Sequence, residues 1–215
     1  MNITKETSRS LEINGDLIEL MMGSGKQPLL YLMKVESLDQ IGRTNMDLGK
    51  LDIEAPKGAF STFDAEVLVP EVQKIPEGGY YLEVGVDKGK SLWIARQVAK
   101  EGVTISGVDL RENPKVEGAI FTQGDSATVA SNMAPGRRID VLFIDGDHSY
   151  EGCKRDIEAW LPFVKEGGVL LFHDCDESSP GVVQAVAEFV NTHTVASWQL
   201  FKRSDKNTSM SKVQL

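Results

Sequence analysis

Cysteine is almost missing from this chain: Cys153 and Cys175 are the only two. They are too few for a disulfide framework and make no metal-binding spacing. Long apolar runs are missing too. Nothing approaches the roughly 18 residues of a membrane-spanning helix, and Met1-Asn-Ile-Thr-Lys5 lacks the apolar region of a secretory leader. Basic residues are outnumbered, 23 Lys and Arg against 32 Asp and Glu, for a net charge of −9. That balance argues against a nucleic-acid groove, which needs a basic face, and the Lys202, Arg203, Lys206 group reads as a solvated tail. No internal repeat or low-complexity segment appears. These absences point to a reduced cytoplasmic protein without nucleic-acid or membrane partners. The 215 residues, 41% of them apolar, suffice for one well-packed domain.

Strand-like and helix-like segments alternate from about residue 58 to 203. Strands are expected near 79–84, 104–108, 119–122, 139–144, 168–173 and 195–201, with a seventh near 208–214. Helices are expected near 62–75 (kinked or interrupted by Pro70), 90–100, 126–133, 150–165 and 180–192. Such alternation predicts an α/β fold with a doubly wound, mostly parallel Rossmann-like sheet, and the apolar runs Val141–Ile144 and Val169–Phe172 suit strands covered on both faces. Residues 1–57 differ. Leu17, Ile18, Met21 and Met22, then Leu29, Leu30, Leu32 and Met33, suggest two helices around a Gly23-Ser-Gly25 break, either core packing or a mobile cap over the site. The expected division is a helical N-terminal cap at 1–57, a core at 58–203 and a tail or edge strand at 204–215.

The most informative stretch is Tyr80-Tyr-Leu-Glu-Val-Gly-Val-Asp-Lys-Gly-Lys-Ser91. An apolar strand enters a glycine turn and then a helical pattern, which brings backbone close to a ligand and aims a helix N-terminus at it. A dinucleotide fingerprint would need glycine at 87 and 90, where Asp87 and Lys90 stand; a P-loop would need it at 84, where Val84 stands. What remains is Glu83-x-Gly85-x-x-x-Gly89. Further carboxylates fall at later strand ends: Asp109, suited to ribose hydroxyls, and Asp125 in Gly124-Asp-Ser126, suited to an adenine edge. Each alone equally fits helix capping.

Together these residues resemble the cofactor site of class I S-adenosylmethionine methyltransferases, over about 145 residues. The resemblance implies S-adenosylmethionine as cofactor, bound by Glu83 (at the methionine end), Gly85, Gly89, Ser91, Asp109 (at the ribose), Leu110, Gly124, Asp125, Ser126 and Asp145. Asp87 departs from the pattern, since many members have glycine there; it either weakens cofactor binding or faces solvent.

A second stretch, Asp140-Val-Leu-Phe-Ile-Asp-Gly-Asp-His-Ser-Tyr-Glu151, precedes Val169-Leu-Leu-Phe-His-Asp174. Neighbouring parallel strands would bring Asp145, Asp147, His148, His173 and Asp174 to one rim, a plausible open site for Mg²⁺. These runs resemble the metal-dependent small-molecule O-methyltransferases, both catechol-type enzymes and those acting on sugars and macrolides, a neighbourhood that includes proteins labelled cephalosporin hydroxylases. The resemblance implies Asp145, His173 and Asp174 as ligands of a divalent metal, and His148, backed by Asp147, as general base. Position 173 is commonly an acid in those relatives. His173 either ligates an ion, with imidazole favouring Zn²⁺, Mn²⁺ or Fe²⁺ over Mg²⁺, or hydrogen-bonds Asp174.

The expected activity is methyl transfer to a hydroxyl of a small molecule: a sugar, a polyketide or a catechol-like phenol. A P-loop-like nucleotide hydrolase and a catalytically altered S-adenosylmethionine-binding protein stand as alternatives. A homodimer through the N-terminal helices is a further expectation.

Overall fold

Tyr81, Val141, Phe143, Val169 and Leu171 belong to one apolar cluster, while Leu82, Leu142, Ile144, Leu170 and Phe172 belong to another. This period of two along each strand puts successive side chains on opposite faces of a sheet, each face covered by helices. The computed structural model of the chain describes residues 8–13, 16–22, 30–36, 46–112, 114–135, 139–202 and 209–215.

Ten strands are described: β1 (Ser8–Ile13), β2 (Asp16–Met22), β3 (Leu30–Glu36), β4 (Tyr80–Val84), β5 (Thr104–Asp109), β6 (Ile120–Gln123), β7 (Ile139–Ile144), β8 (Val164–His173), β9 (Ser197–Lys202) and β10 (Ser209–Gln214). They form one sheet in the order β1-β2-β3-β9-β10-β8-β7-β4-β5-β6. The β8-β7-β4-β5-β6 part is parallel throughout, and β10 lies antiparallel between β8 and β9. Six helices accompany it: α1 (Leu48–Glu54), α2 (Thr62–Lys74), α3 (Lys90–Val98), α4 (Ser126–Ser131), α5 (Tyr150–Trp160) and α6 (Pro180–Thr192). No helix among the described residues is long and apolar enough to cross a membrane.

The expected core elements appear within a few residues of their predicted bounds. Pro70 lies inside an unbroken α2. The helix expected to reach 165 stops at Trp160. A 3-10 turn at Leu161–Phe163 carries Pro162 near its start, and β8 begins at Val164, four residues before the predicted strand.

The N-terminal expectation is corrected. The stretches read as two helices form β2 and β3, which pair antiparallel with each other, and β1 pairs with β2. In the parallel pairing of β3 with β9, Lys34 faces Gln199 and Glu36 faces Phe201. A sheet edge with unpaired backbone groups takes up extended chain, and that competes with a helical spacing of apolar residues. Gly23-Ser-Gly25 and Leu29 lie outside the described residues, as do Arg203 and Lys206. Lys202, expected in a solvated tail, ends β9 and pairs with Glu177 at 3.1 Å.

Candidate active site

The carboxyl ends of β4, β5, β7 and β8 open into a cavity of about 510 Å³. Gly85, Gly89 and Asp87 turn the chain from β4 into α3. Gly85 and Gly89 have positive φ, 85° and 82°, as does Asp87, at 45°. A Cβ on Gly85 would stand 2.1 Å from the Asp145 carbonyl oxygen, so only glycine fits where these two loops meet. Gly89 caps α3 without a side-chain bond, leaving the first amides of that helix free to meet an anion at the cavity wall.

Asp109, at the tip of β5, accepts the Val86 and Asp87 amides on one oxygen at 2.7 and 2.8 Å and the Arg111 amide on the other at 2.8 Å. The carboxylate thus fixes the glycine turn while still facing the cavity. Asp87, expected either to weaken the site or to face solvent, pairs with Arg111 at 2.5 Å along the cavity wall, with both side chains at least half exposed. Gly124, Asp125, Ser126 and the exposed Leu110 line the same end. Asp125 also caps α4 through Thr128 and pairs with Arg155 at 2.8 Å; the amide and hydroxyl of Thr128, and Arg155, hold its carboxyl below the usual range. Ser126 turns its hydroxyl inward to accept from Trp160 at 2.7 Å.

Glu83 does not reach this cavity. It is fully buried behind the turn, accepting from Ser91 at 2.5 Å and Tyr81 at 2.8 Å. Its expected contact with the methionine end gives way to an indirect placement, in which it holds Ser91, a cavity-lining residue near the start of α3. Burial pushes the Glu83 carboxyl up to about 8, against the lowering effect of its two hydrogen bonds. The folded state therefore holds a proton that the unfolded chain releases above its ordinary value of 4.5. The resulting stability is present below that value and lost as pH rises to about 8. Glu83→Gln keeps the shape without the titration. Denaturant unfolding should show the native protein losing about 1.4 kcal/mol per pH unit relative to the variant across that window, an upper limit. A pH-independent difference would show that Glu83 is ionised in the fold.

The second half of the cavity is acidic and imidazole-rich. Ligand atoms of Asp145, His148 and Asp174 all lie within 4.8 Å of one another. His148 Nε2 is 3.4 Å from Asp145 Oδ1, and its Nδ1 is 3.5 Å from Asp174 Oδ2. Asp174, just beyond β8, has a left-handed backbone with φ of 52°, which turns its carboxyl toward this group. His148 thus stands among the candidate ligands as well as in the position expected for a base. The hydrogen bond to Asp145 raises its pKa, with Asp174 adding to the effect against partial burial. For Asp145, burial raises the pKa but contacts with His148 and His173 outweigh it, so the carboxyl ends lowered. Asp147, expected to back the base, accepts the Ser149 amide at 2.9 Å at the start of α5; that bond holds its carboxyl low. It lines the cavity but is occupied by the turn.

His173 is nearly buried, its ring stacked on Phe60 at 28° and edge-on to Phe143. Nδ1 lies 3.3 Å from Asp145 Oδ1 and 3.2 Å from Asp174 Oδ2, and Nε2 lies 3.3 Å from Asp64 Oδ1. None of these contacts is aligned as a hydrogen bond, which leaves both ring nitrogens and Asp64 Oδ1 as buried polar atoms without one. Burial pulls the His173 pKa down, but the three carboxylates together raise it well above the ordinary imidazole value. An orphaned ring nitrogen facing two carboxylates fits a divalent cation. The mixed oxygen and nitrogen donors admit Mg²⁺, Mn²⁺ or another first-row ion.

Several site residues were not expected from sequence: Asp64, Phe60, Lys90, Arg155 and Asp156. Ser61-x-x-Asp64 signalled a capped helix, but nothing local signalled where the second Asp64 oxygen points. Asp156 is buried, lines the cavity and has a raised pKa, chiefly from burial. Cys153 and Cys175 are buried free thiols, pushed up by burial to about 12 and higher, and neither lines the cavity.

Residues 82–175 match the family described as a methyltransferase domain. An uncharacterised protein of Acanthamoeba polyphaga mimivirus is 41% identical over 54 residues, which is 24% of this chain and 24% of that protein. The chain thus spans about a quarter of that relative. Among solved structures, an O-methyltransferase from Bacillus cereus in complex with SAH superposes with a TM-score of 0.58 at 16% identity, covering 82% of this chain and 94% of that one. A methyltransferase of the mycinamycin biosynthetic pathway, solved with Mg, SAH and mycinamycin VI, superposes with a TM-score of 0.57 at 16% identity, covering 78% of this chain and 54% of that one.

Proposed function

We propose that this chain, which carries a methyltransferase domain of the class I fold, transfers the methyl group of S-adenosylmethionine to a hydroxyl oxygen of a small molecule, assisted by a divalent metal. One observation carries the reading: a single cavity joins residues 85–88 of the glycine turn, Asp109 and the open start of α3 to the Asp145, His148, Asp174 group. The solved relatives add support, since one binds SAH and another binds Mg and SAH together. A hydroxyl of a sugar, polyketide or catechol-like compound is the acceptor class. The two buried free thiols suit a reducing, cytoplasmic setting.

S-adenosylmethionine, when bound, supplies an electrophilic methyl on a sulfonium. Asp109 would accept its ribose hydroxyls, while the free backbone amides at the start of α3, that of Ser91 among them, would meet the carboxylate of the methionine end. Gly124 and Asp125 border the adenine. Asp145 and Asp174, with His148 or His173, would hold a divalent ion, which would supply a Lewis acid for the acceptor hydroxyl. Residues 58–60 and 145–148 border the space an acceptor would enter, and in-line transfer needs its oxygen about 3–3.5 Å from the methyl. Where His173 completes the ligand set, His148 is the group left to take the acceptor proton. The hydrogen bond to Asp145, and Asp174 after it, raise its pKa against partial burial, and a cation drawing on those carboxylates would weaken that effect.

Calorimetry with S-adenosylhomocysteine tests the first half of this reading. Micromolar binding is expected, about −8 kcal/mol. Asp109→Ala should weaken it by about 1.5–3 kcal/mol, the range for hydrogen bonds to a charged group. A thermal shift with ATP–Mg²⁺ and none with S-adenosylhomocysteine would favour the nucleotide-hydrolase alternative instead.

A further inference from the structure

Resting on the metal reading above, we propose that Asp64 is a positioning residue, which holds His173 with its proton on Nε2 so that Nδ1 is presented to the cation. Asp64 is the third residue of α2, and one of its oxygens completes the helix cap by accepting the Ser61 amide at 2.6 Å and hydroxyl at 2.7 Å. That task needs one oxygen and no burial. Yet Asp64 is fully buried, and its other oxygen, without a hydrogen bond, stands 3.3 Å from His173 Nε2. A buried carboxylate oxygen left unserved is costly, so this placement calls for a partner, and His173 is the group beside it.

The ring has little freedom to answer otherwise. Phe60 stacks on one side and Phe143 meets it edge-on, which keeps Nε2 toward Asp64 and Nδ1 toward Asp145 and Asp174. With Asp145 and Asp174 engaged by a cation, Asp64 is the carboxylate left to accept, so a neutral ring carries its proton on Nε2 and leaves the Nδ1 lone pair free. A metal-bound histidine usually donates its other nitrogen to a carboxylate in this way, which fixes tautomer and ring orientation. The same pairing explains how an imidazole serves at position 173.

Mn²⁺ alone, followed by the loss of its free-ion EPR signal, is the probe. Asp64→Asn keeps an oxygen for Ser61 and turns its amide toward Nε2, which drives the ring proton to Nδ1. Mn²⁺ affinity should fall about 10–100-fold, with S-adenosylhomocysteine affinity unchanged as the measure of fold. Ser61→Ala removes part of the cap without touching His173, and should leave Mn²⁺ affinity unchanged. In a His173→Asn background, Asp64→Asn should cost nothing further. Native Mn²⁺ affinity in folded Asp64→Asn, or an equal loss in Ser61→Ala, overturns the proposal and makes Asp64 a cap. Failure of the unmutated protein to bind Mn²⁺ overturns the metal reading, and this proposal with it. Should Asp64→Asn not fold, nitrogen-15 NMR of the unmutated protein with Mg²⁺ decides: an Nε2–H tautomer of His173 supports the proposal, and an Nδ1–H tautomer overturns it.

Discussion

In excess chelator, methyl transfer should fall below detection while S-adenosylhomocysteine binds with nearly unchanged affinity. The two proposed sites share a cavity and meet at Asp145, but otherwise draw on different groups. Asp109 and the Gly85–Gly89 turn belong to β4 and β5, whereas Asp145, His148 and Asp174 follow β7 and β8. Without a cation, two carboxylates still stand beside two imidazoles, so the loops keep their partners, while the Lewis acid of the proposed mechanism would be gone. Asp145→Asn should act in the same direction, because an amide oxygen is a weaker, uncharged ligand. Adding back Mg²⁺ and Mn²⁺ separately identifies the working ion. Undiminished turnover under chelation would remove the cation from the mechanism and leave alignment and His148.

His148→Ala should slow turnover about 10²–10⁴-fold, the span of general acid–base catalysis, with cofactor binding intact. The geometry gives His148 two possible jobs, since it stands 3.4 Å from Asp145 and 3.5 Å from Asp174 in the candidate ligand group. Saturation with metal separates them. A rate that stays low at saturating ion marks a base; a rate restored by more ion marks a ligand. Undiminished activity at all ion concentrations passes the proton to water, because Asp147 is engaged by the Ser149 amide.

Much of this was legible in the sequence. Strands β4, β5 and β7 announce themselves because each is an apolar run ending in an acid or a glycine turn, and α6 is marked by Pro180 at its first position. The placement of Asp145, His148, His173 and Asp174 at one rim follows from parallel neighbours, since β7 and β8 deliver their ends to the same side. Beyond residues such as Asp64 that only packing brings to the site, two expectations were misplaced. Glu83 looks like a cofactor contact because it ends a strand, but which face it takes depends on Tyr81 and Ser91 enclosing it. The N-terminal stretch looked helical because Leu17, Ile18, Met21 and Met22 satisfy that spacing as well as any strand pattern. The better signal was Asn14-Gly15, which joins the paired Ile13 and Asp16 and is a dipeptide favoured by two-residue hairpins.

The order of strands in the sheet has a consequence for synthesis. Strands β1 to β3 are made before the other described strands, yet their place beside β9 depends on β10, which among the described strands links β9 to β8. The earliest-made hairpins must therefore wait, with a free edge on β3, until nearly the whole described chain has been translated. Pairing across so long a stretch of sequence is slow, and an unpaired edge on a nascent chain invites association with its neighbours on the same message. Slowing translation ahead of β10 would lengthen the time for which that edge stays open.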